Sequence, residues 1–161
     1  MVKRSVHHPD FDDLVEINKE VVALTREPSD YSAADKAKLE ALVSEVSQRA
    51  DNQEFEEAVH EKVSLLVYKL ACGQYFKAGN QRTALVAGQA FLRKNGYSIE
   101  LRNRSLISAV DKAGVAAASL DDLFNVMDGL VAKSPTDRKG WEKVATQIIE
   151  SNRRFLTDLG S

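Results

Sequence analysis

The segment from residue 84 to residue 92 constrains the fold more than any other part of this chain. Its apolar residues cover most of the circumference of a helix: Ala84, Leu85, Val86, Ala87, Ala90, Phe91 and Leu92. A helix that is apolar nearly all round is buried on every side, whereas a surface helix keeps one polar face. Two cations, Arg93 and Lys94, followed by Gly96 mark its end. We therefore predict a central helix over residues 80–95.

Amphipathic patterns on both sides of this segment indicate the helices that surround it. Apolar residues recur there at steps of three or four. The predicted starts are Pro9-Asp10, Ser32, Asn52, Ser105, Ser119 and Ser134-Pro135. Only residues 97–101 have the pattern of an extended segment. With eight glycines and three prolines in 161 residues, the chain is also short of turn formers. We predict an all-α fold, a compact bundle of about seven helices in one domain over residues 1–161, with a C-terminal helix over 134–161 packed on it.

Composition and charge exclude several classes of function. The 22 Lys and Arg nearly balance 24 Asp and Glu, so the basic footprint of a nucleic-acid binder is absent. The single cysteine, Cys72, permits no intramolecular disulfide, which fits a reducing compartment. The first residues lack the apolar stretch of a secretory signal, and no apolar run is long enough to span a bilayer. These features predict a soluble, cytoplasmic protein that binds neither nucleic acid nor membranes.

The residues from 73 to 83 form the one constellation with chemistry in it. A short loop joins two predicted helices, and the second begins at Gly79-Asn80. The first turn of a helix carries unpaired N–H groups and the positive end of the macrodipole. Gly79 permits close approach of the backbone to a ligand, and Arg82 adds a forked cation suited to phosphate. The spacing fits an anion cradle, and it equally fits a helical hairpin whose Gly-Asn caps a core helix.

The words of this segment resemble the signature of the Fic/Doc family. They read Phe76-x-x-Gly79-Asn80-Gln81-Arg82-Thr83-Ala84-Leu85 and then Phe91-Leu92-Arg93-Lys94-Asn95-Gly96. The family pattern is His-x-Phe-x-Asp/Glu-Gly/Ala-Asn-Gly/Lys-Arg, and the two extensions are similar to those of the Doc (death-on-curing) branch. The resemblance is clearest over residues 63–97 and extends more weakly from the first helix to about residue 133.

The resemblance implies a compact helical fold that binds ATP or a related nucleotide with Mg²⁺. It implies transfer of AMP, or of phosphate in the Doc branch, to a hydroxyl side chain of a target protein. Doc-like members act as toxins paired with an antitoxin. By position, Gly79, Asn80, Gln81 and Arg82 would form the phosphate-binding nest, and Phe76 would anchor the loop. The segment 26–31 would lie near the flap on which the target docks.

Two departures from the family pattern bear directly on catalysis. Gln74 stands where the family has its His, and a neutral amide cannot act as a general base. Ala78 stands where the family has the acidic residue that holds Mg²⁺. Gln81 also replaces the usual Gly or Lys. The resemblance therefore implies either a weakly active enzyme or a nucleotide-binding pseudoenzyme. The alternative is a non-catalytic interaction or regulatory module of a toxin–antitoxin type system.

A second echo of the family lies near the C-terminus. The stretch from Thr146 to Ser151 resembles the inhibitory pattern Ser/Thr-x-x-x-Glu-Gly/Asn, which makes Glu150 the inhibitory candidate. In the family this Glu pairs with a second motif Arg, and that position is Leu85 here. We therefore expect Glu150 not to control access of a nucleotide. His60 lies fourteen positions before Gln74, roughly 21 Å along one helix, and is not expected to replace the missing base.

Overall fold

The computed structural model describes residues 4–27 and 33–159, apart from the side chains of residues 33 and 34. Helices make up nearly all the regular structure of these residues, so the predicted all-α fold is confirmed. The elements in chain order are α1 (Phe11–Ala23), α2 (Ala33–Gln48), α3 (Phe55–Cys72), α4 (Asn80–Lys94), β1 (Tyr97–Ser98), α5 (Arg104–Gly114), α6 (Leu120–Leu130), β2 (Ala132–Lys133), α7 (Trp141–Ser151) and α8 (Arg153–Asp158).

Side-chain caps fix where several of these helices begin. In α1, Asp10 accepts a hydrogen bond from the Asp13 amide, and Asp13 accepts one from the Asp10 amide. Ser119 and Asp122 form the same reciprocal box at the start of α6. Each box satisfies N–H groups that the first turn leaves unpaired, which typically stabilises a helix by about 1 kcal/mol.

Helix α4 lies at the centre of the molecule, as the sequence predicts. It packs against α1, α3, α5, α7 and β1. Ala87, Ala90 and Phe91 are fully buried. Helix α3 comes so close that a Cβ atom added at Gly88 would lie 2.5 Å from Cγ2 of Val67. The apolar circumference of α4 is therefore matched by neighbours on all sides.

The C-terminal third differs in detail from the prediction. The described residues hold eight helices, because the predicted last helix is two helices that meet at Asn152. The first of them begins at Trp141 rather than near Ser134, since the preceding segment runs back along the end of α4. There the Ser134 amide donates to the Gly96 carbonyl, and the Asp137 amide donates to the Arg93 carbonyl.

Three other boundaries also need correction. The segment predicted as extended over 97–101 contributes only Tyr97–Ser98 to β1. This strand pairs antiparallel with β2, so the helix predicted to reach residue 133 ends at Leu130. The residue before α3 is Glu54 rather than Asn52. The predicted start of α2 at Ser32 lies outside the described residues.

The described helices were also tested against the requirements of a bilayer. None of them joins sufficient length to sufficient hydropathy to cross a membrane.

Candidate functional site: the loop before helix α4

The loop between α3 and α4 has two residues in the left-handed region of backbone conformation. Helix α3 ends at Gly73, and Gln74 follows with a φ of 53°. The loop ends at Gly79, with a φ of 72°, which directly precedes the first turn of α4. Gly79 is packed against α1, because an added Cβ would lie 3.0 Å from Cγ1 of Val22. Both the dihedral angle and the contact therefore require glycine at this position.

Asn80 closes the loop on itself through two hydrogen bonds. Its Nδ2 donates to the Phe76 carbonyl at 2.8 Å, and its Oδ1 accepts from the Phe76 amide at 3.1 Å. Both residues are buried. Phe76 is thus the loop anchor that the resemblance implies. The amide of Asn80 serves the loop backbone at both ends, so its role here is to hold the shape of the loop.

Helix α1 supplies a second clamp, through the fully buried Asn18. Its Nδ2 donates to the Ala78 carbonyl at 3.0 Å and to Oγ1 of Thr83 at 3.1 Å. This one amide therefore ties the last part of the loop to the first turn of α4. A polar side chain on the buried face of a helix needs such partners, since an unsatisfied amide would cost about 1–3 kcal/mol.

Arg82 is the buried cation of the site. Its side chain is 5% exposed, and its Nε donates to the Leu156 carbonyl of α8 at 2.7 Å. Its Nη1 lies 3.4 Å from Oε2 of Glu27, whose side chain is 39% exposed. The same carboxylate oxygen accepts a hydrogen bond from Oγ1 of Thr25 at 2.8 Å. A negatively charged oxygen thus already lies against the guanidinium in the first turn of α4.

Helix α2 contacts the outer side of the loop. Nζ of Lys38 donates to the Gly73 carbonyl and lies 4.6 Å from the centre of the Tyr75 ring. Burial of that ring, with a smaller effect of Glu45 and Cys72, raises the pKa of Tyr75 to about 12. The tyrosine therefore stays neutral at ordinary pH and offers no base to the loop.

The other predicted site residues lie around this clamped core. Gln74 is exposed. Gln81 is half-buried and packs against α5, where a Cβ added to Gly114 would lie 2.4 Å from its Nε2. The structure thus brings Gly79, Asn80 and Arg82 together with the ends of α1 and α8.

The residues of the loop do not fit the Mg²⁺ that the resemblance implies. Mg²⁺ is held in proteins by carboxylate and other oxygen ligands. Ala78 has no side-chain oxygen, and its carbonyl already accepts from Asn18. Among the described residues, no three His, Cys, Asp or Glu side chains gather as a metal site would require. No step of a reaction is therefore assigned to a metal here.

Glu150 and the histidines lie away from the loop in their contacts. Glu150 is exposed on α7 and lines a cavity of about 200 Å³ with Glu20, Thr146 and Arg153. His60 bonds through Nδ1 to Asp128 of α6 at 2.6 Å. His8 packs edge-on against Phe91.

Cys72 and the acidic face of α3 have no chemical partner in the loop. Cys72 is a free thiol and is half-buried rather than buried. The predicted solvated face of α3 is confirmed at Glu54, Glu56 and Glu57, which are exposed. Glu61 is half-buried and pairs with Arg49 at 2.9 Å.

Two contributors to the site were missed by sequence reasoning. Asn18 had a signal, because it is a polar residue that falls on the apolar stripe of α1. Glu27 had none, since its partner Arg82 lies 55 positions further along the chain. Of the segment proposed as a docking flap, residues 26 and 27 are described and residues 28–31 lie outside the described residues.

Comparison with known proteins adds no relative to this description. The chain matches no protein-family model, no curated protein and no solved structure.

Proposed function

We propose that this chain is a Fic/Doc-like pseudoenzyme that binds a phosphate-bearing ligand such as ATP, weakly, at the start of α4. It transfers neither AMP nor phosphate at an appreciable rate. The resemblance of residues 63–97 to the family supplies the ligand class, and the loop geometry supplies the place.

The pairing of Arg82 with Glu27 is the observation that carries the binding part of the proposal. A carboxylate oxygen lies 3.4 Å from a guanidinium that is itself fixed by the Leu156 carbonyl. Guanidinium groups bind phosphate through the same forked N–H geometry that binds carboxylate. The adjacent first turn of α4 begins at Gly79 with no side-chain cap, so its N–H groups reinforce the preference for an anion.

The missing base and cation support the second part of the proposal. Transfer to a hydroxyl needs a group that accepts its proton and a cation that neutralises the phosphates. Gln74 is exposed at the base position but carries a neutral amide. Ala78 offers no metal ligand from its side chain. Loss of general-base catalysis alone typically lowers a rate by about 10²–10⁴-fold.

Incubation with ATP labelled at the α or the γ position, together with cell lysate as the source of targets, tests this proposal. We expect no incorporation by the unaltered protein. The double variant Gln74→His with Ala78→Asp should gain activity, and each single change should do less because one requirement stays unmet. Gln147→His, an exposed change on α7, is the matched control and should stay inactive. Label transferred by the unaltered protein would contradict the pseudoenzyme assignment.

A second candidate function is a non-catalytic interaction module with no nucleotide. It is favoured by the internal use of the polar side chains, since Asn80 serves the loop at both ends and Arg82 is only 4% exposed. Isothermal titration with ATP separates the two candidates. A folded protein that takes up no ATP, and that instead forms a stable complex with the product of a neighbouring antitoxin-like gene, would favour the module.

A further inference from the structure

We propose that Glu27 is an internal competitor which a bound phosphate must displace from Arg82, so that this one carboxylate sets the affinity of the site. The inference rests on the proposed function, and it assigns to Glu27 a role that the family resemblance does not supply.

The two partners of this pair are held very differently. Arg82 lies in the first turn of a central helix, its side chain is 5% exposed, and the Leu156 carbonyl fixes its Nε at 2.7 Å. Glu27 follows the end of α1 and is 39% exposed, so water can solvate its carboxylate when it leaves. Of the two, the carboxylate is the group able to move away at small cost.

The contact itself is also weak enough to exchange. The distance of 3.4 Å between Nη1 and Oε2 exceeds the 2.7–2.9 Å typical of a strong charged hydrogen bond. The carboxylate has a second donor, the hydroxyl of Thr25 at 2.8 Å, on its own side of the pair. The Glu27 backbone amide donates to the Val22 carbonyl at 3.1 Å, which keeps the residue close to the site. The side chain therefore pivots between Arg82 and solvent without unfolding the end of α1.

Competition of this kind has a direct thermodynamic consequence. A phosphate that binds Arg82 must first break the internal pair and then remain near a displaced negative charge. Both effects subtract from its binding free energy. Neutralising Glu27 removes both, whereas neutralising a distant glutamate removes only a general charge that salt screens.

Binding of inorganic triphosphate and of ATP, each in EDTA, to the wild type and to Glu27→Gln tests the inference by calorimetry. The matched control is Glu16→Gln, which removes the same charge from α1 but lies in an exposed pair with Lys19. We expect Glu27→Gln to bind about 3–10-fold more tightly than wild type, the range of a partly exposed ion pair. Glu16→Gln should stay within about 1.5-fold. Glu27→Asp keeps the charge but shortens its reach, so it should gain affinity to a smaller degree.

The outcomes separate this inference from the proposed function. Equal affinity of wild type, Glu27→Gln and Glu16→Gln would overturn the competitor role and leave phosphate binding standing. Absence of binding to the wild type and to both Glu27 variants, with thermal melts that show folded protein, would overturn the proposed function and this inference with it. Binding seen only in Glu27→Gln supports the competitor role, because the wild-type carboxylate then blocks the site. Glu27→Asp provides the decision if the glutamine variant does not fold.

Discussion

The side-chain amide of Asn80 and the backbone of Phe76 form a closed pair of hydrogen bonds across the loop before α4, at 2.8 and 3.1 Å. The asparagine that resembles the family motif thus shapes the loop from within. The loop then presents the start of α4 and the buried Arg82 to the end of α1. A motif residue in this chain is therefore an architectural element, and the capacity to bind an anion depends on the geometry that it maintains.

Replacement of Asn80 by Ala should destabilise the fold. The buried N–H and C=O groups of Phe76 would lose their partners, at a cost of about 1–3 kcal/mol for an unsatisfied buried group. Urea denaturation followed by circular dichroism measures this change. Asn125→Ala, an exposed change on α6, should shift the unfolding free energy by no more than about 0.5 kcal/mol. Equal stability of the two variants would mean that the loop finds other partners.

Replacement of Gly79 by Ala should be costly for two reasons. A left-handed backbone costs a residue with a Cβ about 1–2 kcal/mol. The new Cβ would also lie 3.0 Å from Cγ1 of Val22 and 3.3 Å from Cγ1 of Val21. Gly140→Ala is the matched control, because Gly140 precedes α7 with a φ of −61° and has no atom near its Cβ direction. Thermal melts should fall for the first variant and not for the second. A stable Gly79→Ala protein would show that the loop has another conformation.

His8 should make the stability depend on pH. Burial, and then the charge of Lys62, lowers the pKa of His8 to about 4 in the folded protein, against an opposing effect of Asp51. Its Nε2 is buried without a hydrogen-bond partner among the described residues. Between pH 6.5 and about 4 the unfolded chain binds a proton that the folded chain refuses, so the free energy of unfolding falls as the pH falls.

The variant His8→Leu isolates this effect. Its melting temperature should drop less than that of the wild type when the pH is changed from 7 to 5. His7→Leu changes an exposed neighbour and should keep the wild-type response. If His8→Leu loses as much stability as the wild type over this interval, the pH dependence arises elsewhere.

Replacement of Glu150 by Gly should leave the affinity for triphosphate unchanged. The arginine with which such a glutamate pairs in the family is Leu85 here, and that side chain is buried. The variant costs α7 about 1 kcal/mol of helix propensity. Gln147→Gly carries the same backbone cost on the exposed face of α7 and serves as control. A gain in affinity confined to Glu150→Gly, measured by calorimetry, would restore the inhibitory role.

The predictable parts of this protein are those encoded in local patterns. The continuous apolar surface of residues 84–92 places α4 at the centre without knowledge of its neighbours. Gly73 and Gly79 mark the loop through backbone requirements alone. The late start of α7 was not predictable, because residues 134–139 gain hydrogen bonds from the distant end of α4.

The candidate site was predictable only in part for the same reason. The motif words locate the loop and Arg82, and Asn18 is visible as a polar residue on an apolar stripe. The charge balance of the site is different in kind. It depends on Glu27 and on the Leu156 carbonyl, which tertiary packing brings to Arg82 from 55 and 74 positions away. No periodicity or spacing in the chain encodes that pairing.

Mapping of ATP binding by two-dimensional ¹H–¹⁵N NMR tests the central claim most directly, because it needs no substitution in a buried site. Titration of the wild-type protein with ATP in EDTA is expected to shift the backbone amides of residues 79–83 and the side-chain Nε–H of Arg82, in fast exchange and to saturation. The amides of α5 and α6 near Ser108 and Asn125, which line a separate cleft, are expected to stay in place. Shifts that saturate there while residues 79–83 remain still, or no saturable shift at any amide, would contradict the claim that the start of α4 binds phosphate.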